Sequence, residues 1–451
     1  MKNLFVKFVI PVTLLSLVMS CKPNIDTPSP SKGDINVTRY VAIGNSITSG
    51  FADGALYYEG QQNSFPNLIA EQFKLIGGGE FKQPLMNPGS IGVGSTGNAP
   101  FKLDYTTDCL GVTSLAPIPK AAQGDVGALS TNIFAAQGPF NNMGVPGAKA
   151  IDIATVGYGT PSVGNSFFSR MASDPAAASI LSDAKAVNPT FFSVFIGNND
   201  VLAYATNGAA ADAITPTTGI AGVGFDGSIL SIVNTLTSNG AKGVIGNVPD
   251  ITSLPFFTTI PWNGLALNQV QADSLNLAWP NDTIVGGLFN FKAGNNGFLI
   301  EDPAVPYIKK RLMKEGELVL LDTPLDSIKC HKLGSLKAIS NKHILTASEI
   351  IKIQTATIAY NATIKSIAEL KGLAFVDVNA FMNKTKSGFV YNGVAFSAAF
   401  VTGGAFSLDG IHLTPVGNAL LANEFIKAIN KTYNSTIPQV DATKYRGIIF
   451  P

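Results

Sequence analysis

Charge of one sign is missing from this chain: 31 lysines and arginines face 30 aspartates and glutamates, and charged residues make up only 14% of the whole. With no basic stripe to neutralise phosphates, a nucleic-acid surface is excluded. Histidine is scarce, with three in 451 residues and no cluster among them, which excludes an ordinary histidine-rich zinc site. No unit recurs at a fixed period, so solenoids and propellers fall away. There is no Walker A segment and no Gly-x-Ser-x-Gly elbow, which removes P-loop nucleotide chemistry and counts against an α/β-hydrolase. Gly92-Val93-Gly94-Ser95-Thr96-Gly97 matches the dinucleotide fingerprint by letter. It follows Pro88-Gly89-Ser90 in place of a strand and leads to Asn98-Ala99-Pro100 in place of a helix, so it reads as a glycine-rich loop.

What is present is apolar material, 46% of the residues, enough to bury a large core in one big domain with an insertion or in two ordinary ones. The 45 glycines and 26 prolines are spread among packed-looking segments and predict long structured loops. Residues 1–20 have the parts of a secretory signal: Lys2 and Lys7, an apolar stretch from Phe8 to Met19, and small Ser20 before Cys21. The stretch is short for a membrane span. Val18-Met19-Ser20-Cys21 resembles a bacterial lipobox, in which Cys21 would carry the lipid anchor, and residues 21–37 would form a flexible tether. A plain signal peptide with an incidental cysteine, or a short membrane anchor, is the other reading of these residues. The lipobox implies an exported protein held in the cell envelope, at the outer membrane or cell surface. Only Cys109 and Cys330 then remain, and an exported compartment permits either a disulfide between them or two separate buried thiols.

Four almost continuously apolar runs, Tyr40 to Ile43, Phe191 to Ile196, Gly243 to Val248 and Ala374 to Val378, read as strands covered on both faces. Helical character marks Phe65 to Ile76, Ser228 to Ser238, Ser348 to Lys371 and Pro415 to Lys431. In the third of these, Ile350, Ile353, Tyr360, Ile364 and Ile367 share one side. Thr414-Pro415 is a good start for the fourth, because Thr caps and Pro is tolerated in the first turn. Strand-helix-strand order of this kind predicts an α/β fold with a parallel sheet and functional residues at the C-terminal strand ends. Residues 90–169 and 256–344 break the pattern. The second is expected to form a cap or subdomain, with Phe256, Phe257 and Trp262 either lining a pocket or packing in the core.

Chemistry concentrates at strand ends. The first strand runs into Gly44-Asn45-Ser46-Ile47-Thr48, where Ser46 is either a projecting nucleophile or a helix cap. Near the other end, Asp409-Gly410-Ile411-His412 spaces a carboxylate and an imidazole by three residues, so the carboxylate can reach Nδ1 and leave Nε2 to accept a serine proton. Neither His331 nor His343 has a carboxylate at similar spacing. Gly197-Asn198-Asn199-Asp200 places an amide at another strand end, and Asn142-Met143-Gly144-Val145-Pro146-Gly147 offers backbone N–H groups. Together they supply the neutral donors that a developing oxyanion needs.

These four segments, in this order, resemble the signature blocks of the SGNH hydrolase superfamily, the GDSL-like lipases and acylhydrolases. The resemblance spans about Thr38 to Lys431, although the blocks are short. It implies a flavodoxin-like three-layer α/β/α sandwich with a parallel sheet and long loop insertions. It also implies Ser46 as nucleophile, Asp409 and His412 as its acid and base partners, and an oxyanion hole from Ser46, Gly147 and Asn199. No metal or organic cofactor is implied. The family usually has Gly-Asp-Ser-Leu where this chain has Gly-Asn-Ser-Ile, so Asn45 stands in place of an Asp outside the triad. The expected protein is a lipid-anchored serine hydrolase of carboxylic esters, acting on a small-molecule, lipid or glycan ester. Its hydrolase domain would span residues 38–435, followed by a tail at 436–451. A non-catalytic envelope lipoprotein that binds a glycan or a surface partner is the alternative from another class. Oligomeric state, acyl length and alcohol are not legible.

Overall fold

A computed structural model of the chain describes residues 29–160, 164–210, 213–279 and 289–451. The signal segment, Cys21 and the first part of the tether lie outside the described residues.

The core is a five-stranded, wholly parallel sheet. Its strands are β1 (Tyr40–Gly44), β2 (Asn142–Gly144), β3 (Phe191–Phe195), β4 (Lys242–Gly246) and β5 (Ala374–Val376). Spatial order is β5-β4-β3-β1-β2, the flavodoxin-like winding. All residues of β1 and β3 are buried, as their unbroken apolar sequences demand of strands covered on both faces. The register sets Tyr40 beside Phe191 and Gly44 beside Phe195, while Ala42 lies beside Asn142 on the other flank. The C-terminal ends of β1, β2 and β3 therefore share one edge.

The helices that matter here are α1 (Ser46–Ser49), α2 (Phe65–Lys74), α3 (Ile180–Ala186), α4 (Asn199–Thr206), α5 (Phe225–Thr237), α6 (Ala347–Lys371), α7 (Val378–Ser387) and α8 (Pro415–Tyr433). Helices α2 and α8 pack on each other against one sheet face, and α3, α5 and α6 cover the opposite face, giving three layers. Helix α6 starts at a Thr346–Glu349 capping box and ends at Gly372, whose φ of 61° is the left-handed stop that glycine adopts freely. Ile353, Tyr360, Ile364 and Ile367 are its buried stripe. Thr414 caps α8 by accepting the Gly417 N–H at 3.1 Å, with Pro415 in the first turn.

Two expectations change and one open choice closes. β2 is a fifth strand beyond the four expected; it forms because Asn142–Gly144 can ladder onto β1, a tertiary event with no local signature. The domain is wider than 38–435. Ile35 and Val37 on one side, and Ile437, Val440 and Ala442 on the other, are buried in the main core, and Asn423 bonds Val440 through both N–H and C=O. Cys109 and Cys330 are bonded to each other, with Cα atoms 6.4 Å apart, so they are not separate thiols. That bond joins the two irregular regions, because Cys109 sits at the turn of a hairpin (Phe101–Thr107 with Thr113–Pro119) and Cys330 ends the helix Leu325–Cys330.

The 256–344 segment holds two small apolar clusters apart from the main core. One is built on Phe298, Ile300, Met313 and Val319, the other on Phe289, Phe291 and Leu299. Buried Arg311 ties it together, meeting Asp302 and Glu317 at 2.6 Å each. Phe257 is fully buried in the main core and Trp262 packs on the first small cluster, so packing, and not a pocket, is what these rings do.

Candidate active site

Asn45, and not Ser46, is the cap of α1. Its Oδ1 accepts the Ile47 N–H at 3.1 Å, the capping bond of this short helix. This leaves the Ser46 hydroxyl available at the first helical position. The strand can turn so tightly only because residue 44 is glycine: a Cβ there would come within 2.0 Å of Thr48 Oγ1 and 2.5 Å of the Phe195 carbonyl.

The spacing argument for residues 409–412 is realised in three dimensions. His412 Nδ1 lies 2.8 Å from Asp409 Oδ2, and His412 Nε2 lies 2.8 Å from Ser46 Oγ. Asp409 Oδ1 accepts the backbone N–H groups of Ile411 and His412, both at 2.9 Å, and the Ser407 hydroxyl at 3.1 Å. Its Oδ2 also accepts the Gly54 N–H at 2.8 Å. Burial alone would raise the Asp409 carboxyl. The adjoining His412, by charge and hydrogen bond, and the backbone donors outweigh it and hold the group well below the usual carboxylate range. Ser46 and His412 are 7% and 9% exposed, accessible enough for a reacting group yet screened from bulk water. The Phe51 ring packs 4.8 Å from the imidazole and restricts its tilt.

The other expected donors arrive from β2 and β3. Asn199 opens α4, lines the same hollow as Ser46 and His412, and donates one Nδ2 hydrogen to the Ala148 carbonyl at 2.9 Å. An amide nitrogen has two hydrogens, so one remains for a ligand. Gly147, immediately before Ala148, is exposed with φ of 83°, a turn conformation that suits glycine. It does not border the hollow itself; the Asn199–Ala148 bond fixes its turn beside it. Ser46, as the first residue of α1, has an N–H with no intrahelical acceptor.

Several supporting residues escaped the sequence. Asp53 accepts the Leu408 N–H at 3.0 Å and the Tyr57 hydroxyl at 2.8 Å, pinning the loop before Asp409 to the chain after α1. Gly54 was noticeable only as a glycine after the serine block; its N–H on Asp409 depends on a contact across 355 residues. His343 does find a carboxylate, Asp322 at 2.9 Å, but this pair lies in the 256–344 segment, away from Ser46.

Asp200 is the other such residue. It is fully buried, accepts the Ala150 N–H at 2.8 Å, and so braces the Gly147 turn from a second side. Burial pushes its carboxyl up to about 7, the Ala150 bond offsetting only part. The folded state therefore holds this proton more tightly than the unfolded chain. Its stabilising contribution is complete below about pH 4 and is lost as pH rises through about 7. Denaturant titrations of wild type and Asp200→Asn should show the wild type losing up to about 4 kcal/mol relative to the variant between these limits. A constant difference across that range would show that Asp200 does not titrate with folding.

No family model and no curated protein matches the chain. Among solved structures it is similar to the lipase/acylhydrolase from Enterococcus faecalis, at 12% identity and TM-score 0.32, over 89% of this chain and 98% of that one. It is also similar to LAE5, an alpha/beta hydrolase enzyme from the metagenome of Lake Arreo, Spain, at 10% identity and TM-score 0.35, over 88% and 96%. The extracellular lipase from Streptomyces rimosus gives 12% identity and TM-score 0.31, over 87% and 98%. At identities and TM-scores this low, function has to be read from the side chains of the chain itself.

Proposed function

We propose that this chain is an SGNH-type serine hydrolase of carboxylic esters. The observation that supports this most is the continuous relay Asp409–His412–Ser46, with both links at 2.8 Å, at the C-terminal edge of a parallel sheet.

In the proposed mechanism Ser46 Oγ attacks the ester carbonyl carbon while His412 Nε2 takes its proton. Asp409, ionised and held by its backbone donors, fixes the imidazole with Nδ1 protonated and stabilises the imidazolium. The oxyanion is met by the N–H of Ser46 and the remaining Nδ2 hydrogen of Asn199, with the Gly147 turn held beside them by the Asn199–Ala148 bond. His412 then protonates the departing alkoxide, leaving an acyl-Ser46 ester. Water, deprotonated by His412, attacks that ester and releases the carboxylic acid and the free serine. Hydrolysis of simple chromogenic esters, with Ser46→Ala as control, tests the reading; turnover that survives the substitution would overturn it.

The N-terminal residues support a location. Val18-Met19-Ser20-Cys21 after an apolar stretch argues for export and lipid attachment at Cys21, which would hold the enzyme in the cell envelope. Expression of Cys21→Ser should move the protein from the membrane fraction to the soluble exported fraction; retention in the membrane would argue for an uncleaved apolar anchor.

A further inference from the structure

The hollow at Ser46 is small. Its volume is about 20 Å³, where a single water needs roughly 10–15 Å³. The cavities elsewhere are far larger, about 280 Å³ between the 101–119 hairpin and residues 446–451 and about 310 Å³ beside Tyr391 and Tyr445, but neither touches Ser46 or His412.

A tetrahedral intermediate on Ser46 has four substituents with separate destinations. One is Ser46 Oγ itself. The oxyanion must face the Asn199 amide, and the leaving oxygen must face His412 Nε2 to receive its proton. The acyl substituent is left the apolar residues that border the hollow, among them Ile47, Ile251, Leu254 and Met382. That wall is buried: Ile251 and Leu254 belong to the main core at 1% and 5% exposure, and Met382 is 3% exposed on α7. Close-packed interiors of this kind do not yield to an extra methylene without cost. The bordering side chains include no lysine or arginine for a charged acid.

We infer that Ser46 serves acetyl esters, with the methyl of the acetyl group against Ile251, Leu254 and Met382 and the alcohol outside this hollow. The inference rests on Ser46 being the acylated nucleophile. The net step is cleavage of the acyl–oxygen bond: water and an acetyl ester become acetate, a proton and the free alcohol, through acetyl-Ser46.

The test is kcat/KM of the purified full-length chain on acetyl, butanoyl, hexanoyl and octanoyl esters of one chromogenic alcohol, and on methyl octanoate, with Ser46→Ala throughout. The expected result is a fall of at least about 10-fold from acetyl to butanoyl, with nothing gained beyond. Leu254→Ala and, as a second variant at the same wall, Met382→Ala are each expected to raise the butanoyl-to-acetyl ratio at least about 5-fold. A flat or rising Ser46-dependent profile, or methyl octanoate as the better substrate, would overturn the acetyl preference and leave the hydrolase standing. Absence of Ser46-dependent turnover on every ester would overturn both.

Discussion

Ser46→Ala and His412→Ala are each expected to lower kcat for ester hydrolysis by about 10⁴-fold or more, with the fold unchanged. The size follows from what each side chain does. Without Oγ no acyl-enzyme forms, and without Nε2 the hydroxyl keeps its proton and is a poor nucleophile. The double variant should be little worse than either single one, because the two groups act as a unit. Folding should survive, since the Ser46 hydroxyl makes no bond that holds the turn: Asn45 caps α1 and the Ser46 carbonyl, retained in alanine, accepts the Phe51 N–H. Steady-state kinetics with circular dichroism on the same preparations decide it. Loss of turnover together with loss of structure would assign these residues to stability instead.

Asp409→Asn is expected to lower kcat by about 10³- to 10⁴-fold while leaving substrate affinity nearly unchanged. Asp409 Oδ2 accepts both from His412 Nδ1 and from the Gly54 N–H. An amide nitrogen at that place would present a donor to the Gly54 donor and drive the imidazole toward the tautomer with Nε2 protonated, which cannot take the serine proton. If the amide turned the other way, its nitrogen would face the Ile411 and His412 N–H groups that now converge on Oδ1. Neither orientation satisfies every donor, so moderate destabilisation accompanies the kinetic loss. Unchanged kcat would mean that the carboxylate charge does not act on His412.

The reach of the sequence can be followed residue by residue. Ser46, Asp409 and His412, which the structure brings together, were legible as candidates because each sits in a short block whose local chemistry is visible, namely a serine past a buried strand and a carboxylate three residues before an imidazole. Strands β1, β3, β4 and β5 and helix α6 were legible for a similar reason: apolar runs and periodicity are local properties. β2 was not, since three residues with two polar or glycine positions become a strand only when β1 offers its edge. The Asp53 and Gly54 contacts with residues 408 and 409 were equally invisible, as was the choice between paired and separate cysteines. All of these depend on which distant segments meet.

The sequence by itself thus determined the class of fold and supplied the groups on which the proposed chemistry rests: it carries those side chains, their local spacing, and the apolar patterning that makes a covered parallel sheet. Only the tertiary structure decided that the hydroxyl, imidazole and carboxylate stand 2.8 Å apart, that Asn45 rather than Ser46 does the capping, and that the hollow beside them has about 20 Å³ to offer. Periodicity and propensity act within a few residues of chain. Distance, burial and cavity size arise from contacts across some 360 residues, which the packed core, and no local rule, brings together.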